Sequence, residues 1–383
     1  MSVLQFSTMV PPAGYGGAER VVGWLSEQLE AAGLPVHNAG LSARGADEPQ
    51  AYPIPNLYWP FDGASRGVVA RSAWHLVDAV LLTGRARVEQ IFDRVQPTVA
   101  VTHNLRGWGL APWVVARERG VPLVQVVHDY GLICNTGTLW RGQPCDGLCA
   151  PCKLRARVAA QRWPGGQVVG VSRAVLDAQA AHGVELAEVA GVLHPVAAAA
   201  STSSATTRGR DGAIETLGFI GRITPAKGLD LLLEAMRGST RRLLVAGAGE
   251  DAYVDELRRG APTNVSWRGW VDPDEFFSEI DVLVVPSAWP EPFGLVVVEA
   301  ANAGVPVLLA DHPGAVEAAQ ASQARFATFV ANERRGLVEA LERPMSDYTT
   351  EAAPVAPLDL VSLIVATATS TDVAGPGHLS HGR

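Results

Sequence analysis

Short runs of apolar, β-branched residues alternate along this chain with stretches of helical spacing, punctuated by glycine and proline. Residues 3–9 read as a first strand and 11–17 (PPAGYGG) as a glycine-rich turn. Residues 18–32 place Val21, Val22, Trp24, Leu25 and Leu29 on one helical face, with Gly33 as the stop. A polar, proline-rich loop with aromatics fills 41–65, and 68–95 reads as helical. Strands at 99–102 and 123–127 end in His103-Asn104 and His128-Asp129-Tyr130. A strand at 168–171, a helix at 173–181 and a strand at 189–193 complete this half. Strand, loop and helix in repetition predict a parallel sheet of the doubly wound kind, whose ligands sit beyond the carboxyl ends of the strands. That placement gives His103 and, more strongly, His128 a functional reading beside the bland one of hydrogen-bonded histidines.

Residues 197–213 (AAAASTSSATTRGRDGA) are small, polar and aperiodic, as an interdomain linker is. A second α/β series follows, with strands at 217–220, 243–246, 265–268, 282–285 and 305–310 and helices between them. The expected division is 1–196, a linker at 197–213, a second domain at 214–345 and a tail at 346–383. The tail is weakly patterned, with a candidate last helix over 344–370 that is open to a return to the first domain. Its end, 373–383, is expected to be disordered.

The chemistry concentrates in 282–304 (VLVVPSAWPEPFGLVVVEAANAG). A buried strand stops at Pro286-Ser287, a loop follows, and a helix runs from 295 to about 303 before Gly304. Free amides at that helix start, with the dipole behind them, suit an anion, and Gly294 permits close approach. Glu291 and Glu299 bracket the segment and suit hydroxyl groups. In the loop after the 217–220 strand, Arg222 and Lys227 stand five residues apart, a fork and a point charge suited to a diphosphate. The bland alternative is a pair of solvated charges. Of 31 basic residues only Lys153 and Lys227 are lysines, so a lysine here is informative. Phosphate at amides and cations, with hydroxyls at carboxylates, describes a nucleotide sugar. The early Gly14-x-Gly16 loop is not a dinucleotide fingerprint, since Glu19 stands where a third glycine belongs. It is not a P-loop either, and reads as a tight turn or as a floor under a ligand.

Composition narrows the field. A length of 383 residues suits two domains, and 48% hydrophobic residues suffice for a sizeable core. A net charge of −8 speaks against nucleic acid as partner. No apolar run reaches the roughly 18 residues of a membrane span, so at most peripheral membrane contact is expected. The first residues read as a strand rather than a signal peptide, and a cytoplasmic setting is the default. Cys134, Cys145, Cys149 and Cys152 form C-x10-C-x3-C-x2-C. A structural zinc site, free thiols and disulfides are the open readings, and without a His or Glu inside the motif it has no catalytic role. Lys153, Arg155, Arg157 and Arg162 read as a solvated helix face in preference to a site for an anionic surface or phosphorylated acceptor. Asp272-Pro273-Asp274 mimics a metal-binding D-x-D but reads as a helix start.

Gly221-Arg222-x4-Lys227-Gly228, Gly247-x-Gly249, and Pro286-Ser287 with Glu291-Pro292-Phe293-Gly294-Leu295-x3-Glu299-Ala300 resemble the retaining glycosyltransferases of family 4, which have the GT-B fold. The spacing of Glu291 and Glu299 is that family's E-x7-E signature. Gly16-Gly17-Ala18-Glu19-Arg20 is similar to its first glycine loop, and His128-Asp129 to its N-domain histidine. The resemblance spans about residues 1–340 and is looser in the first domain. Asp311 to Glu317 (DHPGAVE) matches the family's glycine-rich turn only loosely, and no strong helix crossing back to the first domain is legible.

The resemblance implies two Rossmann-like domains facing across a cleft, acceptor on the first and nucleotide sugar on the second. It implies that Arg222 and Lys227 bind the donor diphosphate and stabilise the leaving group. Glu299 would hold the ribose hydroxyls, Glu291 the donor sugar hydroxyls, and His128 the sugar near the reacting carbon. Phe293, Gly294 and Leu295 would offer backbone amides, while Gly16, Gly17 and Gly249 would allow close approach of ligand. No catalytic cofactor or metal is implied. The donor would be a UDP- or GDP-sugar, and the acceptor a hydroxyl-bearing sugar, lipid-linked sugar or natural product. A nucleotide-sugar epimerase of the same architecture and a non-catalytic nucleotide-sugar binder are the rivals. A glycosidase also uses two carboxylates but has no need of Arg222 and Lys227.

Overall fold

The structure is a computed structural model that describes residues 1–12, 16–43, 50–64, 66–184, 188–199 and 214–369. Most of the expected linker, the far end of the tail and Gly14 lie outside the described residues. The first half forms a parallel sheet from β1 (Val3–Phe6), β2 (Val36–Ser42), β3 (Ala51–Pro53), β4 (Val99–Thr102), β5 (Leu123–Val127), β6 (Gln167–Gly170) and β7 (Val189–Val192), in the order β3-β2-β1-β4-β5-β6-β7. The second half forms another from β8 (Thr216–Ile220), β9 (Arg242–Ala246), β10 (Val265–Gly269), β11 (Val282–Val285), β12 (Val307–Ala310) and β13 (Phe326–Phe329), in the order β10-β9-β8-β11-β12-β13. Both sheets are Rossmann-like. The inner strands β1, β4, β5, β11 and β12 are buried along their whole length, which is why they read as unbroken apolar runs rather than as alternation.

Each sheet reverses its order once, between β1 and β4 and between β8 and β11. Loops leaving those strands diverge and open a crevice at the carboxyl edge, the place where doubly wound sheets hold ligands. One apolar cluster runs from the first sheet through Phe293, Val297 and Val298 to one face of the second sheet, and another covers the remaining face.

Three expectations change. The helix expected over 68–95 is two helices, Val68–Val80 and Arg85–Val95. Leu81 turns the backbone to extended geometry, and Gly84 restarts the helix against the Trp108 backbone. The loop expected over 41–65 yields its first two residues to β2 and residues 51–53 to β3, an edge strand of three residues, too short to show a period of two. The tail does return to the first sheet. Leu358 N–H donates to the Val192 carbonyl at 2.8 Å, and the helix Leu360–Thr369 buries Leu360 and Ile364 against the helix Gly17–Ala31, β4 and β5. Its apolar stripe is short, so it was weak as a sequence pattern and is decided by the surface that receives it.

Candidate active site

The loops leaving β8 and β11 meet over the switch point of the second sheet. Gly228 joins them. It sits at φ +67°, and a Cβ there would lie 2.0 Å from the Pro286 carbonyl oxygen. Ala288 N–H donates to the Ala226 carbonyl at 2.9 Å. The contact brings Lys227 Nζ to 2.5 Å from Glu291 Oε1, and Ser287 Oγ donates to the same oxygen at 2.7 Å. Glu291 is 5% exposed. Burial alone raises its pKa, but Lys227 and the Ser287 hydroxyl outweigh burial and hold the carboxyl below its ordinary value. Glu291 is therefore an anion in a dry setting with a cation beside it. Lys227 Nζ also lies 5.5 Å from the Trp289 ring centroid. Arg222 is exposed at the mouth.

The helix Leu295–Asn302 starts at Gly294, at φ +100°, and no side chain caps its first amides. The helix Gly17–Ala31 starts at Gly16, also without a side-chain cap. A Cβ on Gly17 would come to 3.2 Å from Leu295 Cδ1, so the two helix starts face each other across the cleft. The bare start of the helix Leu295–Asn302 suits an anion, whereas at the start of the helix Gly17–Ala31 the Glu19 carboxyl already lies against the first amides. Arg20 forms an ion pair with Glu299 across the same space. Glu19 is buried, and burial raises its pKa; Arg222 and Asp129 both act on it electrostatically, which puts the end of β5 at the same mouth. His128 follows β5, and burial lowers its pKa to about 3, so its ring is neutral. Gly249 has a packing reason to be glycine: a Cβ there would lie 2.0 Å from the Ile223 carbonyl oxygen. It supports the Arg222 loop from behind.

A set of residues that sequence reasoning missed ties the two halves together. Glu317, on the helix Pro313–Ala321, accepts from Arg173 N–H at 2.7 and 2.9 Å, from Ala174 N–H at 3.3 Å and from His194 Nε2–H at 2.6 Å. Those amides open the helix Arg173–Ala181, which belongs to the first sheet. The His194 ring stacks on Phe293 at 5.9 Å and 17°. Ser172 accepts from Val175 N–H at 3.1 Å and donates its own hydrogen to the Pro292 carbonyl. At Gly314 a Cβ would lie 2.2 Å from the Glu291 carbonyl oxygen, so the start of the Glu317 helix presses on the loop carrying Glu291. The loosely matched DHPGAVE segment thus works through a carboxylate that caps a helix in the other half. His194 and Glu317 are 123 residues apart, and no local pattern links them.

Residues 15–189 match the model of glycosyltransferase family 4, and residues 208–354 match that of the group 1 glycosyl transferases. The chain belongs to the glycosyltransferases of GT-B fold. This glycosyltransferase is 28% identical over 327 residues to an uncharacterised 42.6 kDa protein of the cps region of Klebsiella pneumoniae, covering 80% of this chain and 84% of that one. Among solved structures it superposes on sucrose-phosphate synthase from Thermosynechococcus elongatus with a TM-score of 0.67 at 16% identity, covering 96% and 92% of the two chains. It also superposes on Anabaena HepE in complex with UDP-glucose, with a TM-score of 0.57 at 18% identity, covering 91% and 92%.

Away from the cleft, the glycosyltransferase keeps its four cysteines as free thiols. All four line one cavity of about 180 Å³, together with Arg141. Among the described residues no group of three or more His, Cys, Asp or Glu side chains is placed to hold a metal ion. Arg155, expected on a solvated face, instead pairs with fully buried Asp78 at 2.6 Å and donates to Asn135 Oδ1 at 2.8 Å and the Gly131 carbonyl at 3.0 Å. It fastens the helix Ala150–Arg162 to the loop after β5. Asp272 accepts from Asp274 N–H at 2.9 Å and Glu275 N–H at 3.3 Å, the helix start that its sequence implied. No described helix is long and apolar enough to cross a membrane.

Proposed function

We propose that this glycosyltransferase moves a hexosyl group from a UDP- or GDP-sugar to a hydroxyl-bearing acceptor in the cytoplasm, with retention of configuration and no catalytic metal. The observation that carries the reading is the Lys227–Glu291 pair seated beside the uncapped start of the helix Leu295–Asn302. Breaking a sugar–phosphate bond puts negative charge on the diphosphate and positive charge on the sugar. Lys227, Arg222 and the amides of Phe293, Gly294 and Leu295 meet the first, and ionised Glu291 meets the sugar hydroxyls. Glu299 exchanges Arg20 for the ribose hydroxyls. Gly16 and Gly17 leave room for phosphate and acceptor, and His128 contacts the sugar. The HepE complex with UDP-glucose supports a nucleotide-sugar donor on this fold.

A panel of nucleoside diphosphates and nucleotide sugars, read by thermal shift, identifies the donor. A transferase then releases nucleoside diphosphate only when an acceptor is present. Isomerisation without acceptor marks an epimerase, and binding without either reaction marks a binder. Inversion at the anomeric carbon of the product refutes retention. Glu299→Ala is expected to weaken nucleoside diphosphate binding about tenfold, the loss of a charge-assisted hydrogen bond. Unchanged affinity removes Glu299 from the ribose.

The cysteine cluster is proposed as a structural zinc site, formed when the thiols that share the cavity turn onto one ion. Protein purified without chelator is then expected to carry stoichiometric zinc by elemental analysis, and metal-free, fully folded protein with four titratable thiols rejects the site.

A further inference from the structure

The first sheet carries a row of buried polar side chains whose arrangement the proposed chemistry leaves unexplained. Gln5 on β1, His103 after β4 and His128 after β5 stand on three neighbouring strands and are nearly excluded from water. His103 Nε2 lies 2.9 Å from Gln5 Oε1, and His103 Nδ1 lies 2.8 Å from His128 Nε2. Contact alone does not say which ring nitrogens hold hydrogen.

The direction is set further back. Ser26 Oγ lies 2.9 Å from the Val22 carbonyl oxygen, an atom that only accepts. The Ser26 hydrogen goes to that oxygen or to Asn38 Oδ1 at 3.3 Å, and in either case the Ser26 oxygen accepts from the Gln5 amide nitrogen at 2.8 Å. The second Gln5 N–H goes to Asn38 Oδ1 at 3.0 Å. Gln5 therefore turns its oxygen to His103, which must hold hydrogen on Nε2 and present a bare Nδ1. His128 must in turn hold hydrogen on Nε2 and leave its own Nδ1 bare. Burial lowers the pKa of both rings, so neither gains a second hydrogen at neutral pH. No described residue hydrogen-bonds His128 Nδ1.

We infer that Gln5 is a positioning residue: it fixes the polarity of the His103–His128 pair so that His128 Nδ1 is a hydrogen-bond acceptor, which selects a ligand offering a hydroxyl hydrogen. The nature of that ligand, a sugar hydroxyl, rests on the nucleotide-sugar reading above. The polarity itself does not.

Full-length protein with isotopically labelled histidine, read by long-range proton–nitrogen correlation, distinguishes protonated from bare ring nitrogens. Both rings are expected to show hydrogen on Nε2 and a bare Nδ1 throughout neutral pH, and hydrogen on Nδ1 of either ring overturns the inference. Gln5→Met keeps the volume and removes the polar end. It is expected to move part of the His103 population to Nδ1–H and to lower kcat about tenfold with little change in donor KM. Ser26→Ala, a milder change, is expected to move the populations in the same direction by less, and it carries the test if Gln5→Met does not fold. Unchanged populations in the folded variants overturn the role of Gln5 whatever their activity. Expected tautomers in a protein that turns over no nucleotide sugar support the polarity assignment and defeat the nucleotide-sugar reading alone.

Discussion

Lys227→Ala is expected to lower turnover by roughly two to three orders of magnitude while donor affinity falls far less. The ammonium acts where charge grows on the leaving diphosphate, so its effect is larger in the transition state than in the bound donor. A second effect acts on the free protein. Glu291 is 5% exposed and loses the cation that holds it ionised, which costs about 3 kcal/mol at the low end for a broken buried pair. Arg222→Ala tests the first effect without the second, because Arg222 is exposed. Its turnover is expected to fall while its unfolding midpoint stays put. Lys227→Arg is expected to recover little, since a planar fork does not occupy the place of a compact ammonium 2.5 Å from Glu291 Oε1. Steady-state kinetics beside a direct binding measurement separate kcat from affinity. Near-normal kcat in both alanine variants defeats the assigned roles.

The second large effect is expected at Glu317, which takes no part in the chemistry. Glu317→Ala leaves two backbone N–H groups and the His194 Nε2–H without their acceptor in a buried interface, a loss of about 3 kcal/mol in stability. The same change frees the start of the helix Pro313–Ala321, which presses on the Glu291 loop, so donor KM and kcat both deteriorate. Denaturant unfolding gives the stability, and solution scattering reports whether the halves separate. A variant as stable and as compact as the parent contradicts the clasp. Burial raises the Glu317 pKa, but His194 and the amides of Arg173 and Ala174 outweigh burial and hold it below the ordinary 4.5. Its contribution is therefore complete above about pH 4.5 and is lost as the pH falls through the lower folded value. The stability difference between the parent and Glu317→Gln is expected to be flat near neutrality and to shrink in acid.

Legibility followed locality. The run Val282 to Val285, the stop at Pro286-Ser287 and the helix after Gly294 form within a short stretch, and each has a backbone reason visible in the residues. Gly249 stands where the Ile223 carbonyl comes close enough to require glycine. Glycine reports a close approach without saying what approaches. Arg155 stands among basic residues that read as a solvated helix face, yet buried Asp78, 77 residues earlier, claims it. The return helix Leu360–Thr369 was hard to see because ten residues with two buried positions form little pattern on their own.

The sequence by itself determined the two α/β halves, their parallel strands, the residues Arg222, Lys227, His128 and Glu291 in the loops after strands and Glu299 in the helix that follows, because period, turn residues and loop position are local properties of the chain. Only the tertiary structure decided that Arg20 meets Glu299, that Glu317 caps a helix of the other half, and that Gln5 orients two histidines. Those contacts join residues far apart along the chain, and a hydrogen bond across an interface leaves no periodic mark in either of the segments it joins.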